Sequence, residues 1–363
     1  MYRVIAQGYA ASLRPAGGYH REMRDLRTLP KVELHIHLEG SVRAATLREF
    51  ADRDGAALPH GLHDDAWRFT GPLDFIDNYL ELCRVLTSLD DFRRVAVEFC
   101  EDLSATGVRY AEAVFSPGNH ARRLGGDWNG PIEAVLDGLA AGERAHGVTV
   151  RLCPDIVRDA GMDDADHTLA VALRYAGRGV VALNCAGSER TGIEPFARHF
   201  RDAAAAGLRS VPHAGEWAGA ENVWATLEHY RPDRIGHGVR AIEDPALVAE
   251  LARRGIPLEV SPVSNVATGA YPNLAVHPFP ALRDAGVVVT LNSDDPAMFG
   301  GWLTDVYAAA REAWTLDDDD LATIARTAVD ASFADEGIRE DLRRAIEAWL
   351  AAPVASPAAP AVP

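Results

Sequence analysis

The sequence predicts an α/β fold, a (β/α)₈ TIM barrel with a helical lid insertion between its first and second strands. Two observations point to it. Eight short apolar segments alternate with longer amphipathic segments along the 363-residue chain, and a glycine often follows a predicted helix, where a left-handed residue can end it. Such alternation indicates parallel strands, closed as a barrel or open as a doubly wound sheet. In a barrel, the active site lies at the carboxyl ends of the strands.

The predicted strands are short runs of aliphatic residues, which favour a pleated, buried segment. They span 32–36, 109–115, 149–155, 180–183, 210–213, 234–235, 257–260 and 287–291. The predicted helices repeat apolar residues at intervals of three and four. They span 73–86, 89–106, 131–145, 165–176, 193–206, 220–229, 245–254 and 274–285.

The segment 46–86 lies between the first two predicted strands and is long enough to hold helices that cover the pocket. Its aromatic residues either contact a substrate or simply pack the lid. They are Trp67, Phe69, Phe75 and Tyr79.

The ends of the chain differ in composition from its body. Residues 1–28 are polar and contain glycine, which predicts a loose N-terminal extension in which Met23 is an alternative start to Met1. Residues 29–350 form a single predicted domain. Residues 351–363 alternate alanine and proline without charge, which predicts a disordered tail.

Composition limits the classes of partner. The chain has 36 basic and 53 acidic residues, a formal net charge of −17, and an acidic surface repels nucleic acid and anionic lipid. No apolar run approaches the roughly 18–20 residues of a membrane helix. The four scattered cysteines form no CxxC motif, which fits a reducing cytoplasm. We expect a cytoplasmic protein with a small-molecule partner, and the sequence leaves its oligomeric state open.

Reactive side chains follow the predicted strands. His35 and His37 are two residues apart on the first strand, so both project to the same face. Other strands lead into His213, Glu216, His237, Asp294 and Asp295. A lone histidine or a pair of acids is usually structural, but the coincidence of all these groups at strand ends favours one shared site.

Imidazoles with a carboxylate are good ligands for Zn²⁺, and a catalytic site keeps one position for water. The metal lowers the pKa of that water toward neutrality. Glu216, three residues after His213, is placed to move a proton, although it could instead be a helix-start acid. His237 could hold or deprotonate the water, or be a core histidine. Lys31 is the only lysine and precedes the first strand, so a carbamylated lysine cannot bridge two metals and one metal is expected.

Five segments carry recognisable motifs. They read PKVELHIHLEG at 30–40, HAGE at 213–216, RIGHG at 234–238, SPVSN at 261–265 and NSDDP at 292–296. The motifs, in this order, resemble those of the adenosine deaminase family. The resemblance covers about residues 29–345.

This resemblance implies a (β/α)₈ barrel that binds one zinc ion, with iron as an alternative, through His35, His37, His213 and Asp294. It implies that Glu216 gives a proton to purine N1 while hydroxide at the metal attacks C6, and that His237 orients this hydroxide. Asp295 would bond N7, and Gly187 would offer its backbone N–H to the purine. Ammonia and a 6-oxopurine would be released.

Two positions depart from the family pattern and concern substrate choice. Ser188 stands where the family usually has an acid, and Glu39 stands where adenosine deaminases carry an aspartate that holds the ribose 5′-hydroxyl. Glutamate also occurs there in relatives acting on free adenine. The segment 206–299 is in addition similar to the aminodeoxyfutalosine deaminases of menaquinone biosynthesis.

The leading hypothesis is a zinc-dependent deaminase of a 6-aminopurine nucleoside: adenosine, 2′-deoxyadenosine or a 5′-modified adenosine such as 6-amino-6-deoxyfutalosine. The alternative is an adenine deaminase, or another mononuclear amidohydrolase acting on a non-nucleoside amine or amide. A non-catalytic binding module is a third hypothesis, which no missing catalytic position favours. The segments of the proposed site contain no compact basic cluster that would bind a 5′-phosphate.

Overall fold

The computed structural model describes residues 23–353, and its core is a barrel of parallel strands. Every predicted strand is present, with ends shifted by a few residues. In chain order they are β1 Lys31–His37, β2 Val108–Phe115, β3 Thr149–Val157, β4 Ala182–Ala186, β5 in two parts Arg209–Ser210 and His213–Ala214, β6 Ile235–His237, β7 Leu258–Val260 and β8 Val289–Leu291.

Each strand pairs in parallel with the next, and the last returns to the first. The seam between β8 and β1 is closed by a parallel bridge between Ile36 and Asp294, and the backbone N–H of His37 donates to the Asp294 carbonyl at 2.8 Å. The barrel is therefore closed at the point where a predicted metal ligand follows β8.

Strand β5 is interrupted at Pro212, which has no backbone N–H for the ladder. Its neighbours still hold it, because the N–H of Val211 donates to the Leu183 carbonyl at 3.1 Å and the N–H of Gly236 donates to the Pro212 carbonyl at 2.9 Å. The break at Pro212 is followed directly by His213, the first of the candidate site residues on this strand.

Helices surround the barrel. They are α1 Ala44–Asp54, α2 Pro72–Val85, α3 Leu89–Ala105, α4 Gly118–Ala121, α5 Gly130–His146, α6 Met162–Arg174, α7 Ala197–Ala205, α8 Ala220–His229, α9 Pro245–Arg254, α10 Pro262–Ala267, α11 Phe279–Asp284, α12 Pro296–Phe299, α13 Leu303–Trp314, α14 Asp318–Ala331 and α15 Glu336–Ala351. Within residues 23–353, no helix combines the length and apolar character needed to cross a bilayer.

One predicted helix is in fact two pieces. The prediction of a continuous helix over 274–285 is wrong, because a 3₁₀ turn, Leu274–Val276, precedes α11 and extended backbone at His277 separates them. Pro278 explains the break, since a residue that precedes proline is driven out of the helical region. Similarly, the helix predicted over 193–206 begins as a 3₁₀ turn, Glu194–Phe196, before α7.

The insertion between β1 and β2 contains α1, α2 and a short hairpin of Leu62–His63 with Ala66–Trp67. The aromatic residues of this lid pack mainly on one another. Phe75 lies 5.5 Å from Phe69 and 5.0 Å from Phe299, measured between ring centroids. Tyr79 is the one that approaches the predicted ligands, with its ring 6.0 Å from that of His37.

The predicted N-terminal extension and tail fall mostly on residues 1–22 and 354–363, which lie outside the described residues. Residues 24–28 belong to the packed domain instead. Leu26 is buried, and the Arg24 guanidinium binds Asp318 at 3.1 Å and the Trp349 carbonyl at 2.9 Å. These contacts fasten the start of the described chain to α14 and α15.

Candidate active site

Four side chains converge at the carboxyl end of the barrel. His35 and His37 lie on β1, His213 on β5, and Asp294 follows β8. All four are buried, and one ligand atom from each lies within 4.8 Å of the others. The structure thus brings together the four residues predicted to bind a metal.

Hydrogen bonds behind His213 fix which of its ring nitrogens is free. The backbone N–H of Cys185 donates to the Asn184 Oδ1 atom at 2.6 Å, so this atom is an acceptor. His213 Nδ1 lies 2.9 Å from the same oxygen and must donate to it. The lone pair of His213 Nε2 therefore points into the site.

His35 is also oriented by a hydrogen bond from its Nδ1, in this case to the Glu259 carboxylate. Its Nδ1 lies 2.9 Å from the Glu259 carboxylate, and its Nε2 is buried without a hydrogen-bond partner. Arg234 and His35 lower the pKa of Glu259 even though burial opposes this, so Glu259 accepts. Carboxylate support of this kind is common behind metal-binding histidines.

The resulting arrangement fits a cation. His37 Nε2 and His213 Nε2 lie 3.3 Å apart, and Asp294 Oδ1 lies 3.3 Å from His37 Nε2 and 3.5 Å from His35 Nε2. Imidazole nitrogens converging on a carboxylate in a buried space are a suitable ligand set for one Zn²⁺ or a similar ion.

Two site residues adopt strained backbone conformations. The φ angles of His237 and Asp294 are 59° and 66°, in the left-handed region that non-glycine residues seldom occupy. Ser264 Oγ donates to Asp294 Oδ2 at 2.6 Å and thereby fixes the orientation of the carboxylate. Such strain is retained where the surrounding structure holds a residue in position.

Glu216 is buried beside this cluster, with its Oε2 3.6 Å from His237 Nε2. Burial, together with the charges of Asp294 and Glu189, holds the pKa of Glu216 well above its usual value. Burial lowers the pKa of His237 to about 3. The pair therefore places an acid that favours its protonated form next to an imidazole that favours its neutral form.

Glu189 supports Glu216 and was not singled out by sequence reasoning. Its carboxylate accepts hydrogen bonds from the backbone N–H groups of residues 215–218, among them that of Glu216 at 3.1 Å. A buried carboxylate that caps four successive amides fixes the loop on which Glu216 stands. A glutamate three residues after the end of a buried strand was the available signal.

Asp295 lies over Gly40. A β-carbon on Gly40 would stand 1.8 Å from Asp295 Oδ1, so glycine is required for this approach. Burial and the neighbouring charge of Asp294 hold the pKa of Asp295 well above its usual value. Its Oδ1 is buried and has no hydrogen-bond partner, so this atom is available to a ligand.

Glu39 is anchored rather than extended into solvent. Its Oε1 accepts from the Ser116 N–H at 3.0 Å and contacts His120 Nε2 at 3.1 Å, while Oε2 is buried without a partner. These bonds lower the pKa of Glu39 although burial opposes them. The charge of Glu39 also acts on Tyr79 and Asp155, which sequence reasoning did not connect with it.

Gly187 follows β4 and has a φ of 90°. A β-carbon there would lie 2.8 Å from the Asp159 carboxylate. The N–H of Ser188 donates to the same carboxylate at 2.7 Å. The loop thus lies beside β3, and Glu189 connects it to Glu216.

Comparison with known proteins gives one family. The family model described as "Adenosine deaminase" matches residues 30–349. The chain is 40% identical over 334 residues to the aminodeoxyfutalosine deaminase of Streptomyces coelicolor, covering 89% of this chain and 86% of the relative. It is 38% identical over 331 residues to the adenine deaminase of the same organism, covering 89% and 96%.

Among solved structures, an amidohydrolase from Burkholderia ambifaria with bound Zn superposes with a TM-score of 0.84 at 27% identity, covering 93% of this chain and 98% of the other. The fold and the site thus lead to the same conclusion as the sequence. The chain belongs to the adenosine deaminase family of metal-dependent enzymes and is a hydrolase that acts on the C6 amine of a purine.

Proposed function

We propose that this protein is a zinc-dependent deaminase of a 6-aminopurine nucleoside without a 5′-phosphate, releasing ammonia and the 6-oxopurine. The observation that supports this most directly is the position of Glu216, a buried acid whose Oε2 lies 3.6 Å from His237 Nε2 at the edge of the four-residue ligand cluster. Deamination of a purine requires a proton donor, and Glu216 beside His237 is placed to be that donor.

His35, His37, His213 and Asp294 would hold the zinc ion. When bound, the ion supplies a Lewis acid that makes water a nucleophile near neutral pH. The hydrogen bonds that His213 and His35 donate to Asn184 and Glu259, and the one that Ser264 donates to Asp294, support this assignment. They orient three of the four ligands before any ion arrives.

The chain's own acids match the hydrogen-bonding pattern of an adenine ring. Purine N1 and N7 are acceptors, so each needs a donor. Glu216 in its protonated form would give a proton to N1, which makes C6 more electrophilic. Asp295, also protonated, would donate to N7. The backbone N–H of Gly187 would serve the remaining pyrimidine nitrogen.

Near Glu39, the buried polar atoms without a partner belong to two carboxyl groups and to the hydroxyl of Tyr79, which can donate or accept. Glu39 Oε2 and Asp155 Oδ1 are buried and without partners, and burial raises the pKa of Asp155 to about 7, with the charge of Glu39 adding to this rise. Such a wall would bind a hydroxyl or an N–H and would repel a phosphate. A ribose supplies the required hydroxyl.

Free adenine is a second candidate because it offers its own N–H to these carboxyl groups. Glu39 is held in place because its Oε1 is already bonded to Ser116 and His120. This position favours a hydrogen bond from the N–H of the base itself to the free Oε2. The similarity to an adenine deaminase at 38% identity supports the same candidate.

Ammonia release by the zinc-loaded protein tests these candidates. Adenosine, 2′-deoxyadenosine, adenine, 6-amino-6-deoxyfutalosine and AMP would be compared at equal concentration. We expect a neutral 6-aminopurine to exceed AMP in kcat/KM by at least about 100-fold, since an unpaired buried charge costs several kcal/mol. Turnover of AMP at a comparable rate would contradict the acceptor wall, and no turnover of any of them would contradict the purine assignment.

The role of Glu216 is tested by Glu216→Gln. We expect zinc content to be retained and kcat to fall by about 10²–10⁴-fold, because glutamine cannot transfer the proton. Glu221→Gln, an exposed residue on the following helix, is the matched control and should keep full activity. Full activity in Glu216→Gln would remove this residue from the mechanism.

A further inference from the structure

A line of hydrogen bonds leads to His237 from a backbone amide outside the site. The N–H of Phe279, at the start of α11, lies 3.2 Å from His277 Nδ1. A backbone N–H can only donate, so His277 Nδ1 must be an acceptor without a proton.

His277 is consequently a neutral imidazole with its proton on Nε2. Burial lowers the pKa of His277 to about 3, which agrees with a neutral ring. Its position is fixed by aromatic neighbours, with the ring centroids of Tyr271 and Trp314 at 5.0 and 6.0 Å. His277 Nε2 lies 3.1 Å from Asn265 Oδ1 and donates to it.

This bond decides which way the Asn265 amide points. With Oδ1 facing His277, the Nδ2 group faces His237 Nδ1 at 3.3 Å. An amide nitrogen can only donate, so His237 Nδ1 is the acceptor. A flipped amide would place a donor against the donor of His277, which is unfavourable in a buried site.

We propose that Asn265 and His277 are positioning residues that fix the tautomer of His237, with its proton on Nε2. That nitrogen faces Glu216 Oε2 at 3.6 Å and Asp294 Oδ2 at 3.8 Å. In this form His237 presents an N–H donor to an oxygen nucleophile between these groups. The catalytic meaning rests on the proposed function, whereas the tautomer itself follows from the hydrogen bonds alone.

The tautomer is measurable without any turnover. In zinc-loaded protein labelled with ¹⁵N-histidine, a ring nitrogen without a proton resonates far downfield of an N–H nitrogen, and the His237 signals are identified by their loss in His237→Gln. We expect Nδ1 of His237 in the downfield range and Nε2 in the N–H range. The opposite pattern would overturn the proposal.

Asn265→Asp is the decisive variant because it has nearly the same shape but replaces the donor with an acceptor. We expect Nδ1 of His237 to gain a proton and move to the N–H range, and kcat to fall by at least about 100-fold with a KM change below about threefold. The matched control is Asn78→Asp, since Asn78 is an equally buried amide whose hydrogen bonds go to the lid. It should leave the His237 signals in place.

Two variants of His277 separate positioning from packing. His277→Gln retains an N–H donor for Asn265 and should keep the wild-type tautomer of His237. His277→Leu removes the donor and should give a mixture of the two His237 tautomers. Equal spectra for both variants and the wild type would overturn the proposal. If no 6-aminopurine is deaminated although these shifts behave as expected, the proposed function fails and the assignment of the tautomer stands.

Discussion

At the scale of single residues, three neighbouring acids reach different protonation states because their surroundings differ. Asp294 accepts from Ser264 and faces histidines that hold its pKa well below its usual value against the effect of burial. Asp295 and Glu216 are also buried, but the charge of Asp294 adds to burial and raises both pKa values. One acid can therefore bind a cation while the other two hold protons for a substrate.

Glu39→Asp is expected to change the choice between nucleoside and free base. Aspartate is one methylene shorter and cannot keep both the Ser116 N–H contact and the present position of the unpartnered oxygen. The shorter side chain leaves room for a ribose, whereas the contact between Oε2 and the N–H of free adenine is lost. A hydrogen bond to a charged group contributes about 1.5–3 kcal/mol, so the kcat/KM ratio of adenosine to adenine should rise by about tenfold or more.

Steady-state kinetics on both substrates measures this ratio. Glu101→Asp, an exposed glutamate paired with Arg43, provides a control in which the ratio should not move. An unchanged ratio in Glu39→Asp would mean that this carboxylate does not contact the part of the substrate in which the two compounds differ.

The ligands and the proton donor could be predicted from the sequence because they follow strands at short, fixed spacings. The residues behind them could not. Glu259 lies inside an apolar strand, and its partners Arg234 and His35 are 25 and 224 positions away. Only the closed barrel brings them together. A charged residue in the middle of a buried strand was the sole indication that it had a partner.

At the scale of elements, β7 couples the base of the barrel to the metal site. Glu259 binds His35 Nδ1 at 2.9 Å and Arg234 Nε at 2.5 Å, and the Arg234 guanidinium also contacts Glu112 and lies 3.8 Å from the centroid of the Phe333 ring. Glu259, Arg234 and Glu112 are all buried, so the strand transmits a fixed orientation to His35.

Glu259→Gln should weaken metal binding by about 10–100-fold, since a residue that orients a ligand typically contributes this much. Competition with a chelator measures the affinity, and activity at saturating zinc should recover most of the wild-type rate. The control is Glu250→Gln on α9, whose partners Arg253 and Arg254 are at the surface. Unaltered affinity in Glu259→Gln would contradict the coupling.

The lid contains a separate pH-dependent contact. His60 Nδ1 lies 2.8 Å from Glu81 and Nε2 lies 2.8 Å from Asp74, both on α2, and these bonds raise the pKa of His60 above its ordinary value of 6.5. A raised pKa means that the stabilisation is complete below about pH 6.5 and is lost as the pH rises through the raised value.

We therefore expect the hairpin at 62–67 to open more often at higher pH. Hydrogen exchange of its amides, corrected for the intrinsic pH effect, would show weaker protection as the pH rises. His60→Asn should abolish this dependence, whereas His63→Asn, at an exposed position of the hairpin itself, should preserve it. A dependence that survives in His60→Asn would have another source.

At the scale of the whole molecule, the sequence predicted the barrel because its strands and helices alternate regularly from β1 to β8. That alternation ends after β8, and the helices α13–α15 over 303–351 were not assigned. α13 and α14 pack against β8, and α15 packs against α14. No strand separates these helices, so their amphipathic pattern had no neighbouring strand signal to place them. The closure of the barrel likewise depends on contacts between residues such as Ile36 and Asp294, far apart in the chain.

The same closure makes the metal a structural as well as a chemical component. His35 and His37 lie on one side of the seam, Asp294 follows the other side, and His213 comes from β5 across the barrel. A bound ion would therefore join distant strands, and its removal would leave three imidazoles and a carboxylate buried without the cation that they could bind. Because the unfolded chain cannot assemble these ligands, the ion should stabilise the folded state by about 4 kcal/mol at a free concentration 1,000 times its Kd.

We expect chelation to lower Tm by several degrees in the wild type and to leave the Tm of His213→Ala unchanged. Equal Tm values for the chelated and zinc-loaded wild type would mean that the ion does not connect these strands in the folded protein.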